Sequence, residues 1–138
     1  MYLLDTNVVS ELRKKQNANP GVQAFFAELK QTHSKTYLSV ITVGELRRGV
    51  ELIRYRGDHD QAQLLETWLN GVIESYQGSI LDFTATEAQV WGKLRVPHYE
   101  NALDKQIAAT ALVYDLTLVT RNTADFLSTG TKLLNPFE

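Results

Sequence analysis

The stretch Tyr2-Leu3-Leu4-Asp5-Thr6-Asn7 is a short apolar run of strand type followed at once by three polar residues. Val8 and Leu12 come next at helical spacing, so the pattern predicts a strand leading directly into a helix that ends near Lys15. The same order recurs at Thr36–Ile41, a predicted strand followed by apolar residues at helical spacing: Val43, Leu46, Val50 and Ile53. Strands that alternate with helices are typical of α/β domains with a largely parallel central sheet.

The rest of the chain continues this alternation. Asn19-Pro20 predicts a helix start, because asparagine is a good N-cap and proline suits the first helical position. A polar break at Arg56–Asp60 precedes the next apolar stripe. Further strands are predicted at Ile80–Phe83, Thr117–Thr120 and Lys132–Leu134, and further helices at Leu64–Ile73, Thr84–Arg95 and Asp104–Tyr114. We therefore predict one α/β domain over residues 1–138, with helices flanking a largely parallel sheet.

Composition narrows the possible classes of protein. With 138 residues, of which 43% are apolar, the chain can bury a core without covalent staples. It has no cysteine, which excludes disulfides and thiolate metal sites and agrees with a reducing cytoplasm. No apolar stretch approaches the ~18 residues that span a bilayer, so we expect a soluble, cytoplasmic protein without membrane contact. The net charge is −2, so RNA binding would require a local group of basic residues.

Four acidic residues stand where predicted strands end or predicted helices begin: Asp5, Glu45, Asp104 and Asp125. Ligand sites of open parallel sheets lie beyond the carboxyl ends of the strands, so folding is expected to bring these side chains into one pocket. Crowded carboxylates repel one another, and a divalent cation removes that repulsion. Mg²⁺ or Mn²⁺ is the natural choice, because these hard ions prefer carboxylate, water and phosphate oxygens.

Each of these residues also has a purely structural interpretation. Acidic side chains commonly cap helices or form ion pairs, which would by itself explain Glu45 or Asp104. Thr6, Thr120 and Asn122 offer polar groups beside the acids and are candidates to orient them. Turn hydrogen bonds would explain Thr6 and Asn122 equally well, and for Thr120 strand structure is the preferred explanation. Asn7 is interpreted as a helix cap or as a residue that orients Asp5.

The order and the residues of these motifs resemble those of the PIN-domain ribonucleases, and most closely those of the toxins of bacterial VapBC-type toxin–antitoxin pairs. The similarity runs through Tyr2–Asn7, Ile41–Gly49, Ile107–Ala111, Leu118–Asn122 and Leu134–Pro136. It implies that Asp5, Glu45 and Asp104 bind the metal ion and that Asp125 joins them directly or through water. The resemblance also implies an RNA substrate, a homodimer and a cognate antitoxin protein that blocks the acidic groove.

The turn before Asp104 departs from the usual pattern of this family, which leaves Glu100 as an additional candidate for metal or rim contacts. Candidate RNA contacts are Arg121, in the proposed site loop, and two basic segments, one containing Arg47 and Arg48 and the other Arg13, Lys14 and Lys15. Ordinary solvent-exposed charges are the alternative for each of them.

Other residues are expected to have ordinary structural roles. The three histidines are too scattered for a zinc site. Trp68 and Trp91 fit helical stripes and are expected to pack in the core. One apolar stripe could serve a partner interface instead of the core: Leu64, Leu65, Trp68, Leu69 and Val72.

The function predicted from the sequence is metal-dependent hydrolysis of RNA by the toxin of a toxin–antitoxin pair. Two alternatives stay open: a catalytically weak PIN-like scaffold that binds RNA or protein, and a housekeeping PIN nuclease of RNA processing. Dinucleotide and P-loop chemistry is excluded, because neither glycine-rich fingerprint is present.

Overall fold

The computed structural model describes residues 1–138 and has five strands, all parallel, in a central sheet. The strands lie in the order β3-β2-β1-β4-β5. Their bounds are β1 Tyr2–Leu4, β2 Thr36–Ser39, β3 Ile80–Leu81, β4 Thr117–Val119 and β5 Leu133–Leu134. The predicted α/β class and parallel sheet are confirmed.

Six α-helices cover the sheet: α1 Thr6–Leu12, α2 Pro20–Thr32, α3 Val40–Tyr55, α4 His59–Ser75, α5 Ala85–Leu94 and α6 Ala102–Val113. Two 3₁₀ segments lie at Lys15–Asn17 and Thr123–Thr129. None of the helices combines the length and the apolar character that crossing a membrane would require.

Apolar residues on both faces of the central strands produce a three-layer structure. Leu4 and Val119 pack on one face in a cluster with residues of α1 to α4, whereas Leu3 and Leu118 pack on the other face against α6. Successive strand side chains point to opposite faces, so a strand covered on both sides must be apolar throughout. Leu3 and Leu4 are both fully buried, and truncation of either to alanine would cost roughly 2–5 kcal/mol.

Several predicted boundaries were wrong, and local capping explains two of them. The strand predicted to reach Ile41 stops at Ser39, whose hydroxyl accepts a hydrogen bond from the backbone N–H of Ile41 at 3.0 Å and starts α3 there. Glu45 therefore lies in the second turn of its helix and not in the first. Likewise, the break predicted at Arg56–Asp60 is shorter, because Asp58 caps α4 and helical structure begins at His59.

The end of α1 and the start of α6 also differ from the prediction. Helix α1 ends at Leu12 and is followed by the 3₁₀ segment, and α6 begins at Ala102, two residues before the predicted start at Asp104. The expected core packing is confirmed for Trp68, whereas Trp91 is half-buried and belongs to neither core cluster. Trp68 packs against the larger core cluster, and Trp91 lies edge-on to Phe83 while its indole N–H donates to the carbonyl of Ala102 at 2.9 Å.

Candidate metal centre

Asp5 is at the carboxyl end of β1, the middle strand of the sheet. Its backbone N–H donates to the carbonyl of Val119 on β4, and one carboxylate oxygen caps α1 by accepting from the N–H of Thr6 at 2.8 Å. The residue is only 5% exposed. Burial raises the pKa of Asp5 above its usual range, and the charge of Asp125 adds to this effect, while the hydrogen bonds to the carboxylate oppose it.

The second carboxylate oxygen of Asp5 is held by side chains from two segments. The hydroxyl of Thr120 donates to it at 2.7 Å, and the amide of Asn7 lies 3.4 Å away. Thr120 therefore orients Asp5, which is one of the two roles considered for it from the sequence. Asn7 orients Asp5 as well, and the helix cap is Asp5 itself. For Asn122 it is the backbone N–H that takes part, by donating to the hydroxyl of Thr120 at 3.1 Å.

Glu45 is connected to this position through Thr6. The hydroxyl of Thr6 donates to a carboxylate oxygen of Glu45 at 2.7 Å, although the two residues belong to α1 and α3. Because the backbone of Thr6 also binds Asp5, one threonine orients two of the candidate carboxylates. A cavity of about 370 Å³ opens beside Thr6 and Glu45 and is also lined by Arg13 and Trp68.

Asp104 lies in the first turn of α6, and Asp125 in the first turn of the 3₁₀ segment that follows β4. The pKa of Asp104 is raised to about 6, first by burial and then by the charges of Asp5, Asp125 and Glu45. Charges that are separated by much solvent interact only weakly, so these effects indicate that the three acids lie near Asp104. The structure thus brings all four predicted acids into one electrostatic cluster.

None of the four carboxylates forms an ion pair with a lysine or an arginine. At the same time, no three Asp, Glu or His side chains form a group that would hold a metal ion as they stand. This donor set fits Mg²⁺ or Mn²⁺, because Mg²⁺ usually takes one or two protein carboxylates and completes its shell with water and phosphate. A closed tetrahedral site of the zinc type is not present.

The candidate RNA contacts have different surroundings. Arg47 is held by Glu66 at 2.7 Å and by Glu51 at 3.3 Å, whereas Arg48 is exposed and forms no ion pair. The guanidinium of Arg121 stacks on the ring of Phe137, 3.9 Å from its centroid. Glu100 is exposed in the loop before α6 and is not among the charges that raise the pKa of Asp104. In the proposed interface stripe, Leu69 is buried and Leu64 is exposed.

Sequence reasoning missed Glu11, a buried carboxylate on α1. It accepts hydrogen bonds from the ammonium group of Lys14 at 3.0 Å and from the backbone N–H of Asn19 at 2.8 Å. These contacts, with that of Lys14 first, lower the pKa of Glu11 below its usual range. A signal was present, because Glu11 follows the apolar Val8 by three residues and so shares the buried face of the helix.

Comparison with known proteins agrees with this geometry. The family model described as PIN domain matches residues 2–131. The chain is 35% identical to Toxin FitB of Neisseria gonorrhoeae, with 99% of both chains covered. It is 30% identical to VapC ribonuclease Y4jK of Sinorhizobium fredii, over 100% of this chain and 99% of the relative.

Among solved structures, the crystal structure of FitAcB from Neisseria gonorrhoeae superposes with a TM-score of 0.85 at 33% identity, covering 100% of this chain and 99% of the other. The match extends over the sheet and over every segment that contributes a carboxylate to the cluster. This chain belongs to the PIN-domain family, in the group that includes the toxins of VapBC-type toxin–antitoxin pairs.

Proposed function

We propose that this protein is a ribonuclease that uses Mg²⁺ or Mn²⁺ to hydrolyse RNA phosphodiester bonds, and that it acts as the toxin of a toxin–antitoxin pair. The observation that supports this most strongly is the cluster of Asp5, Glu45, Asp104 and Asp125, none of which forms an ion pair with a basic side chain. Similarity to one relative named a toxin and to another named a ribonuclease supports the same assignment.

In this proposal, Asp5, Glu45 and Asp104 hold the ion, and Asp125 completes the site directly or through water. A bound divalent ion would neutralise the scissile phosphate and make an attacking water more acidic. Thr120 and Thr6 keep the carboxylates of Asp5 and Glu45 in fixed orientations through their 2.7 Å hydrogen bonds. Such supporting contacts matter because a ligand that rotates freely binds its ion weakly.

The substrate would enter from the exposed side of the cluster. Asp125 is exposed, whereas Asp5 is buried, so solvent reaches the cluster from the side of Asp125. If the cluster binds a divalent ion, an RNA phosphate that approaches from that side would supply some of its oxygen ligands. Arg121 and Arg48, both exposed, are the better placed of the candidate RNA contacts, since Arg47 is already held by two glutamates.

We further propose a cognate antitoxin as the protein partner and a homodimer as the working assembly, as in the group of toxins that this chain resembles. A ribonuclease of this kind would act in the cytoplasm, where its substrate is found. Light scattering coupled to size-exclusion chromatography tests the assembly. A monomer over a wide range of concentrations would contradict the dimer.

The deciding experiment incubates the antitoxin-free protein with single-stranded and structured RNAs, with and without Mg²⁺ or Mn²⁺. Cleavage should require the ion and should be lost in Asp5→Asn and Asp104→Asn. Asp115→Asn is the matched control, because Asp115 is an exposed aspartate paired with Lys132. Its positive φ of 53° is one that asparagine tolerates well.

Two outcomes would contradict the assignment. Equal cleavage by the wild type and both site variants would reject the proposed site. RNA binding without any cleavage would favour the scaffold alternative.

A further inference from the structure

Glu11 lies close to two basic side chains that are far apart in the sequence. Its own side chain is only 8% exposed, yet one carboxylate oxygen lies 3.0 Å from the ammonium of Lys14 and 4.0 Å from the guanidinium of Arg121. The other oxygen accepts from the backbone N–H of Asn19, which anchors the carboxylate. Glu11 is therefore held in place by the fold and positions both cations.

Three further contacts hold Arg121 in place. Its guanidinium stacks on Phe137, and its backbone carbonyl accepts from the side-chain amide of Asn135 at 3.3 Å. Its backbone N–H donates to the side-chain oxygen of Asn7 at 3.1 Å. Because the amide nitrogen of Asn7 lies 3.4 Å from the carboxylate of Asp5, the backbone of Arg121 is connected to the candidate metal centre through the side chain of Asn7.

The charges around Glu11 do not cancel. The protein has three groups of ion-paired side chains. Arg47 and Arg54 face Glu51 and Glu66, and Lys132 faces Asp115, so both of these groups are neutral. Only the group of Glu11, Lys14 and Arg121 has two cations for one carboxylate.

Both cations remain accessible to a ligand. The side chains of Lys14 and Arg121 are 52% and 54% exposed. Arg13 and Lys15, on either side of Lys14, form no ion pair and add to the local positive charge. In a protein of net charge −2, this local excess is the kind of feature that attracts a polyanion.

We propose that Lys14 and Arg121, oriented by Glu11 and Phe137, bind a backbone phosphate of the RNA substrate next to the phosphate that is cleaved. The inference rests on the proposed ribonuclease function and extends it to a second contact with the substrate. Arginine offers paired N–H donors that match phosphate oxygens, and lysine adds a point charge. Contacts with phosphate position the strand without reading its sequence.

Binding is measured by fluorescence anisotropy with a labelled single-stranded RNA, in an Asp5→Asn background that does not cleave it, at a series of salt concentrations. Arg121→Gln and Lys14→Gln should each weaken binding several-fold. Because both side chains bind the same phosphate, the double variant should reduce the slope of log affinity against log salt by about 0.7, the value for one phosphate contact with a single strand, and each single variant should reduce it by less. Arg54→Gln and Lys132→Gln are matched controls, because they remove ion-paired cations from the two neutral groups.

Cleavage kinetics test whether Lys14 and Arg121 act in substrate binding or in the chemical step. In the otherwise wild-type protein, Arg121→Gln and Lys14→Gln should raise KM several-fold and leave kcat within about twofold, because a remote phosphate contact contributes equally to ground-state and transition-state binding. Phe137→Leu retains every charge and should also raise KM. Because Phe137 packs against the larger core cluster, a lower Tm is expected, and the kinetics are measured at a temperature where the variant is folded. If KM is unchanged in Phe137→Leu, the ring does not position Arg121 for the substrate.

Failure of this inference can be distinguished from failure of the proposed function. If the wild type cleaves RNA but the Lys14 and Arg121 variants have the affinity and salt slope of the controls, the second phosphate site is wrong and the ribonuclease assignment stands. If the wild type cleaves no RNA with either ion, the proposed function fails. The anisotropy measurements then still decide whether Lys14 and Arg121 bind phosphate.

Discussion

Helix α3 has carboxylates in two contrasting surroundings. Glu45 accepts a hydrogen bond from the hydroxyl of Thr6, forms no ion pair, and is one of the charges that raise the pKa of Asp104. Less than two turns later, Glu51 is paired with Arg47 and Arg54, and Glu66 of α4 binds the same two arginines. The hydrogen bonds from these arginines lower the pKa of both Glu51 and Glu66.

The difference shows how to separate structural charges from functional ones. The group on α3 and α4 is neutral by itself, so it needs no ligand, and exposed pairs of this type contribute little to stability. The four acids around Asp5 form no ion pair with a basic side chain, and burial raises the pKa of Asp5 and Asp104, so keeping these two ionised costs more than it would in water. Such an arrangement persists in a folded protein when a cation balances it, which is why the cluster and not the ion-paired group is the candidate active site.

The largest predicted effect is loss of cleavage when the cluster loses one charge. Asp104→Asn should reduce the rate at saturating RNA at least about 100-fold, a loss at the upper end of that seen for residues that only orient metal ligands. Glu66→Gln, which removes one carboxylate from the ion-paired group, is the control and should leave the rate unchanged. Comparable losses in both variants would show that the acidic cluster and the ion-paired group do not differ in their importance for cleavage.

A smaller effect is expected from the threonine that orients Asp5. Thr120→Val removes the 2.7 Å hydrogen bond while keeping the shape of the side chain, and should weaken Mn²⁺ binding and cleavage by about 10- to 100-fold. Thr110→Val is the control, because the hydroxyl of this buried threonine donates only to the carbonyl of Gln106 in its own helix. Isothermal titration with Mn²⁺ measures the affinity, and equal affinities in both variants would show that Thr120 has no role in orienting Asp5.

The two regions should also respond to pH with opposite signs. The pKa of Asp104 is about 6 in the folded protein against an ordinary value of 3.8. Between these values the folded state binds more protons than the unfolded state, so this residue makes metal-free protein less stable as the pH rises through 6. For Glu66 the folded pKa is lowered, so its stabilising contribution is lost as the pH falls below 4.5 and through the folded pKa.

Thermal melts in EDTA from pH 3 to pH 7 test this contrast by comparing variants with the wild type. The Tm difference between Asp104→Asn and the wild type should increase towards neutral pH, in favour of the variant, and added Mg²⁺ should remove that gain. For Glu66→Gln, the wild type should be the more stable protein at neutral pH, with a difference that shrinks as the pH falls. A gain for Asp104→Asn that did not depend on pH would contradict the raised pKa.

The smallest effect is predicted for the exposed ion pairs themselves. Arg54→Gln should lower the Tm only slightly at low salt and not at all at high salt, because salt screens exposed charges. Cleavage should be unchanged. A large loss of activity in this variant would mean that the ion-paired group also contacts the substrate.

How far the sequence predicted this protein depends on the range of the interactions involved. Strand and helix types were predictable because apolar periodicity is local, and the parallel sheet followed from their alternation. Boundaries failed where one capping side chain decided them, as Ser39 did for α3 and Asp58 for α4. The role of Thr120 was left open, because its partner Asp5 is 115 residues away in the sequence.

The amino-acid sequence by itself determined that Asp5, Asp104 and Asp125 stand where strands end or helical segments begin, since each of these boundaries is set by neighbours a few residues away. Only the tertiary structure decided that Asp5 is buried, that Asp104 is affected by three other charges, and that Glu11 joins Lys14 to Arg121. The physical reason is that desolvation and charge interactions depend on distance in space and on the exclusion of water. Neither quantity exists until the sheet has brought distant segments together.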